Sequence, residues 1–237
     1  MSSYSDGSEL ISSLSTPAYP ISFSSRLTGI TRWSISRYLR GYDYKIDKEK
    51  NDKRHKPPVV THVQQDVTYA SFLDLIDLLF VKEFLKRGFT LQYLRHALEE
   101  ARHYLGTPHF ARSEFYTSSN QILLKIPQDG ALIALMNNGQ LAIPEIAKKL
   151  NQKMEFEDVT GYGFVHRWYP NGKNGAIVID PLISFGKPIL AGYGVPTSNI
   201  YDLYLGESKN FKTVSSWFDI PVPEIKAAIR FEHSLWV

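Results

Sequence analysis

The sequence predicts a mainly α chain with a minor β portion, an α+β class. It divides into an N-terminal winged helix-turn-helix, a small β connector and a C-terminal trihelical unit of helix-turn-helix type. Three observations carry this expectation. Apolar residues recur at helical spacing over 21–40 and 68–105. Between 107 and 170 the texture changes to short apolar runs bounded by turn residues. From 197 onward three short amphipathic segments follow one another, punctuated by Gly206 and Pro221. The expected boundaries are a flexible tail over 1–17, a helix-turn-helix domain over 18–112, a connector over 113–172 and the trihelical domain over 173–237.

Ile21, Phe23, Leu27 and Ile30 fit one side of a short helix and its exit, with Gly29 as a left-handed helix end. Thr31 then caps a second helix, in which Ile35, Tyr38 and Leu39 form an apolar face and Arg32, Ser36 and Arg40 lie together on another. Gly41 ends it. Helix, tight turn and Arg-bearing helix is a pattern that fits a major groove, but a surface hairpin with solvated arginines has the same pattern. Charge favours the first reading. Residues 21–56 hold ten basic and four acidic residues, 10 − 4 = +6, in a chain whose total is +3. A local cationic field of this kind suits a polyanion. The candidate DNA contacts are Arg26, Thr31, Arg32, Trp33, Ser34, Ser36, Arg37, Arg40 and Tyr42. Residues 42–56 read as a loop or the tip of a β-wing, and Pro57–Val63 as a short returning strand.

Phe72, Leu75, Ile76, Leu79 and Phe80 mark a helix closed by Gly88, and Thr90 caps the next, striped by Leu91, Leu94, Leu98, Ala101 and Leu105. The stretch "ITRWSISRYLRGY", followed by "LIDLLFVKEFLKRGFTLQYLRHAL", resembles the DNA-binding head of MerR-like regulators. The match centres on the junction Gly88-Phe89-Thr90-Leu91-Gln92-Tyr93-Leu94-Arg95 and covers about residues 18–106. The resemblance implies operator binding, as a dimer on a palindromic site.

In the middle, "QILLKI" and "ALIALM" read as strands, Asn137-Asn138-Gly139 as a hairpin turn, "PEIAKKL" as a short helix and Gly163–Gly172 as a strand closed by Pro-Asn-Gly. None of this carries a catalytic pattern.

The segment "IDPLISFGKPILAGYGVPT" follows an apolar run ending at Asp180 and suggests a phosphate-cradling loop. Pro188 after Lys187 supplies neither an N–H nor a hydroxyl, and Pro181 stands where the motif needs Gly. The glycines are read instead as turn residues with positive φ. Thr197 or Ser198 then caps a helix bearing Ile200, Leu203 and Tyr204. Phe211, Val214 and Phe218 face inward on a second helix, with Lys212, Ser215 and Ser216 outward. Ile225, Ala228, Ile229 and Leu235 stripe a third. Trp217 and Phe231 fall near these stripes and are expected in the core.

Asp180-Pro181, Gly186-Lys187-Pro188-Ile189-Leu190, Gly192, Gly194-Val195-Pro196-Thr197 and Ile225 through Phe231-Glu232 closely resemble a small bacterial domain known as domain of unknown function 433. The order of head, connector and this domain resembles VapB-type antitoxins of the larger kind. That resemblance implies autoregulation at an operator and neutralisation of a PIN-like ribonuclease toxin, in a homodimer or a toxin–antitoxin hetero-oligomer. Candidate toxin contacts are Lys209, Lys212, Trp217, Lys226, Arg230 and Trp236. The alternative is a MerR-like regulator whose C-terminal half senses a ligand, and a third reading is an interaction adaptor.

Other classes are disfavoured. The chain lacks Cys, which excludes disulfides and thiolate zinc sites. There is no long apolar run and no signal-peptide pattern, so no membrane partner and a cytoplasmic location are expected. Asp74 and Asp77, one helical turn apart, are expected to be solvated, and no metal, cofactor or catalytic residue is expected.

Overall fold

The computed structural model describes residues 7–45, 53–60, 62, 68–96, 99, 109, 115–118, 121–125, 132–134, 150, 152–159 and 162–236. The fold is α+β: helices predominate and the strands form small, separate antiparallel sheets. The chain divides into two compact units. The first is Met1–Leu150 with Glu157–Phe164, and the second is Asn151–Phe156 with Val165–Val237.

In the first unit, α1 (Gly7–Ser15) packs on α4 (Phe72–Lys86) and buries Leu10 and Leu14. The expected flexible tail over 1–17 therefore holds a packed helix. Its Ser-rich sequence hid two leucines at i and i+4, spacing that presents both to one side. Next come β1 (Tyr19–Pro20), α2 (Ile21–Thr28) and α3 (Arg32–Arg40), then the hairpin of β2 (Tyr42–Lys45) and β3 (Lys53–Lys56). β4 (Tyr69–Ala70) closes back on β1, pairing Tyr19 with Ala70 and Pro20 with Tyr69.

α4 is the core of this unit. Ser71 and Asp74 form a capping box: Asp74 N donates to Ser71 Oγ at 3.1 Å and Ser71 N donates to Asp74 Oδ2 at 2.8 Å. The helix is buried around most of its circumference, including Phe72, Leu75, Ile76, Phe80 and Phe84. Asp74 and Asp77 are buried too, contrary to the solvated placement expected for them. Each meets a histidine from elsewhere in the chain, His62 Nδ1 at 2.9 Å from Asp74 and His109 Nδ1 at 2.8 Å from Asp77. Burial of a carboxylate is tolerated when such partners exist, and these lie too far along the chain to be read locally. Val59 and Val60 form no strand. They are buried in a bend whose two N–H groups both donate to Tyr38 O, which ties the end of the hairpin to α3.

Gly88, at φ +89, ends the α4 region, and Thr90 Oγ1 accepts from Tyr93 N at 3.2 Å to cap the helical residues 91–96. Leu98, Ala101 and Leu105 lie outside the described residues. β5 (Phe115–Ser118), β6 (Gln121–Lys125) and β7 (Leu132–Ala134) form an antiparallel sheet in that order. The turn over 137–139 lies outside the described residues, as does the helix over 144–150 apart from buried Leu150.

A four-stranded sheet has the order β11-β10-β9-β8, from β8 (Met154–Val159), β9 (Tyr162–Trp168), β10 (Ile177–Ile179) and β11 (Pro188–Leu190); β10, β11, residues 154–156 of β8 and residues 165–168 of β9 belong to the second unit. β10 pairs with β11 (Ile177 with Leu190) and with β9 (Ile179 with Trp168). Of the expected connector, Asn151–Phe156 and the residues from Val165 onward group with the C-terminal helices, while Glu157–Phe164 group with the first unit. α5 (Thr197–Gly206) and α6 (Phe211–Phe218) pack on α7 (Val222–Ser234). Ile200, Val214, Ile225, Ala228 and Ile229 are buried as their spacing predicts. Neither Thr197 nor Ser198 caps α5. The cap position is Pro196, and Thr197 is buried with its hydroxyl 2.5 Å from Glu232 Oε1 and 3.2 Å from Pro188 O. The actual side-chain cap in this unit is Asn210, which accepts from Lys212 N and Thr213 N at the start of α6.

A polar cluster braces the sheet. Arg167 Nε donates to buried Asp180 Oδ2 at 2.7 Å, and Asp180 Oδ1 accepts from Leu182 N at 2.9 Å. The Asp180 hydrogen bond holds the Arg167 guanidinium above its usual range. Tyr169 OH donates to Glu155 Oε1 at 2.8 Å, and burial together with this bond pushes the phenol up to about 12.

Candidate nucleic-acid interface

The interface is built from the α2–α3 turn. Gly29 sits at φ +64 and its N–H closes α2 onto Ser25 O at 2.8 Å. Thr31, in extended geometry, accepts from Ser34 N at 3.2 Å, and its hydroxyl donates to Ser34 Oγ at 3.0 Å. Thr31 and Ser34 therefore set the start of α3. Ile35 and Leu39 are buried beneath it, while Arg32, Trp33 and Arg40 are exposed, Trp33 by 67%. Three candidate contacts thus share the open side of one helix. Arg26 is half-buried on α2, with its guanidinium carbon 5.4 Å from the centre of the Phe23 ring.

Arg37 occupies a different position from Arg32 and Arg40. Its guanidinium carbon lies 4.1 Å from the Trp33 ring centre and 3.6 Å from that of Tyr42. Cation–π attraction fixes all three side chains. Trp33, Ser36, Arg37, Arg40, Gly41, Tyr42, Asp43 and His55 line a cleft of about 480 Å³ between α3 and the hairpin.

The hairpin supplies further cations from the stretch that the sequence reads as a β-wing reaching toward backbone phosphates, although of that stretch only Tyr42 is among the candidate contacts. β3 is Lys-Arg-His-Lys, and Lys53, Arg54 and His55 are exposed along it. Asp43, paired with His55 across the strands, is hydrogen-bonded to His55 Nδ1 at 2.8 Å. Gly41 has φ +79 and ψ −169, and a Cβ there would stand 2.3 Å from Lys56 O. Only glycine lets β3 approach the end of α3 this closely.

In the second unit, Lys209, Lys212, Trp217, Lys226, Arg230 and Trp236 are all exposed. Lys226 and Arg230 are one turn apart on α7, and Lys226 Nζ is 5.2 Å from the Phe211 ring centre on α6. Trp217 is 69% exposed, so its expected core placement does not hold, whereas Phe231 is buried. On an eight-residue helix the stripe Val214–Phe218 points one residue away from Trp217. Among the described residues, no group of three or more His, Asp or Glu is placed to hold a metal ion, and no helix is long and apolar enough to cross a membrane.

No family model matches the chain, and no curated protein matches it. Among solved structures, the crystal structure of Rv2018 from Mycobacterium tuberculosis is similar. At 14% identity it matches 90% of this chain and 98% of its own, with a TM-score of 0.58. That likeness is one of fold.

Proposed function

We propose that this chain is an antitoxin that binds operator DNA through its first unit and a PIN-like ribonuclease toxin through its second. One observation carries the DNA half. A Thr-capped helix exposes Arg32, Trp33 and Arg40, and a cationic hairpin held against its end adds Lys53 and Arg54. A helix entering the major groove with a wing over the flanking backbone is the docking this arrangement favours. The toxin half is supported by the domain-433 motif and by the exposure of all six candidate contacts. Cations and exposed aromatic rings suit a partner whose active site is lined by carboxylates. The test has two arms. The purified chain should retard the DNA upstream of its own gene, with affinity falling steeply as salt rises. It should also co-purify with the product of the adjoining reading frame and suppress that product's ribonuclease activity. DNA binding without a toxin partner would instead favour the ligand-responsive regulator.

A further inference from the structure

Phe185 is the most exposed large apolar residue among the described ones, at 94%. Its backbone is also unusual. Ser184, Phe185 and Gly186 have φ of +51, +55 and +73, three consecutive residues in the left-handed region. For a bulky side chain that conformation is a genuine outlier, disfavoured by about 1–2 kcal/mol per residue. The surroundings impose it. Ile183 N donates to Asp180 O, Gly186 N to Ile183 O and Lys187 N to Ser184 O, while Ser184 Oγ lies 3.4 Å from Gly194 O. Asp180, held by Arg167, anchors the start of the loop through Leu182 N. Leu182 and Tyr193, on this loop and on the turn joined to it, are 41% and 44% exposed. The result is an apolar knob carried on a hydrogen-bonded turn.

We infer that Phe185, flanked by Leu182 and Tyr193, is the anchor by which the second unit docks into an apolar pocket on its protein partner. Three arguments favour this occupant. The turn that carries the ring is already ordered by its hydrogen bonds, so docking costs little backbone entropy while burying a whole exposed aromatic side chain. A convex knob needs a concave site. The sequence from 181 to 201 contains Lys187, which is exposed, and no acid, so it complements a pocket with a carboxylate rim. The inference rests on the toxin-binding reading and adds its point of attachment, one outside the α6–α7 cations.

The probe is the product of the adjoining reading frame, titrated with the full chain, with Phe185→Gly and with Lys187→Glu. Glycine suits the left-handed backbone, so Phe185→Gly is expected to melt within about 2 °C of wild type. It is expected to bind the probe at least about 30-fold more weakly. Lys187→Glu should weaken binding by slowing association, with wild-type melting. Undiminished binding by Phe185→Gly overturns the inference while leaving the toxin-binding reading intact. A fall in melting temperature well beyond that range would make Phe185 a packing residue and overturns it too. Failure of the wild-type chain to bind the probe removes the reading and the inference together. Phe185-dependent binding to vesicles of phosphatidylcholine and phosphatidylglycerol, with no effect on the probe, would assign the knob to a lipid surface instead.

Discussion

Gly41→Ala tests the link between the hairpin and α3. The added Cβ would lie 2.3 Å from Lys56 O, where ordinary contact begins at 3.4 Å, so β3 must retreat by about 3.4 − 2.3 = 1.1 Å. The obstacle is a backbone carbonyl, which cannot rotate away as a side chain would. The backbone at φ +79, ψ −169 adds about 1–3 kcal/mol for any residue with a Cβ. Unfolding free energy measured in urea should therefore fall by about 2 kcal/mol. DNA affinity should fall further, because a phosphate bond of about 2.9 Å does not survive a displacement of that size. Each charge-assisted bond lost is worth about 1.5–3 kcal/mol, or roughly 10- to 100-fold in Kd. Gly88→Ala is the control. It also has positive φ, but its Cβ meets nothing within 4 Å and it lies outside the α2–α3 turn and the hairpin. It should cost stability with little change in affinity. If Gly41→Ala binds upstream DNA as tightly as Gly88→Ala at equal salt, the hairpin takes no part in binding and the reasoning fails.

Other expectations address separate parts of the fold. Replacing Arg32 or Arg40 with Ala should weaken binding to all DNA sequences alike and lower the slope of log K against log salt by about 0.9 per phosphate contact removed. An unchanged slope would exclude that residue from the backbone contacts. Tyr169 has a raised pKa, so between its ordinary value near 10 and about 12 the unfolded chain ionises first, and stability falls as pH rises through that window. Discounted for its partial exposure, the effect is about 1 kcal/mol. Tyr169→Phe should flatten the pH dependence of the denaturation midpoint there. Asp74→Ala removes both the capping box and the partner of buried His62, and should lower unfolding free energy by about 3 kcal/mol in denaturant melts.

The helix-turn-helix was legible because its signals are local: Gly29 for the turn, Thr31 for the cap, Ile35 and Leu39 for the buried face. The hairpin was only partly legible. Tyr42–Lys45 and Lys53–Lys56 carry no apolar alternation, so their pairing depends on the close approach at Gly41 and not on a buried face. The acids of α4 were misjudged because their hydrogen-bond partners, His62 and His109, come from distant parts of the chain. Glycines at 186, 192 and 194 were correctly read as positive-φ positions, but Ser184 and Phe185 adopt the same region with no residue-type signal. That conformation is imposed by hydrogen bonds across the loop, which sequence spacing does not reveal.

The two-residue ribbon joining Tyr19–Pro20 to Tyr69–Ala70 gives the chain a modular construction. Ile21 N donates to Thr68 O, so residues 21 and 68 meet at the base of the ribbon. Everything that faces DNA in the proposed function is a closed excursion between them. Such a segment can be exchanged for one of different specificity while the chain still leaves and rejoins the body at the same point. Loop-closure entropy grows only slowly with length, so a longer or shorter hairpin tip inside the excursion changes it little. New specificity could thus be acquired by grafting, provided the underside of the graft still fits α4.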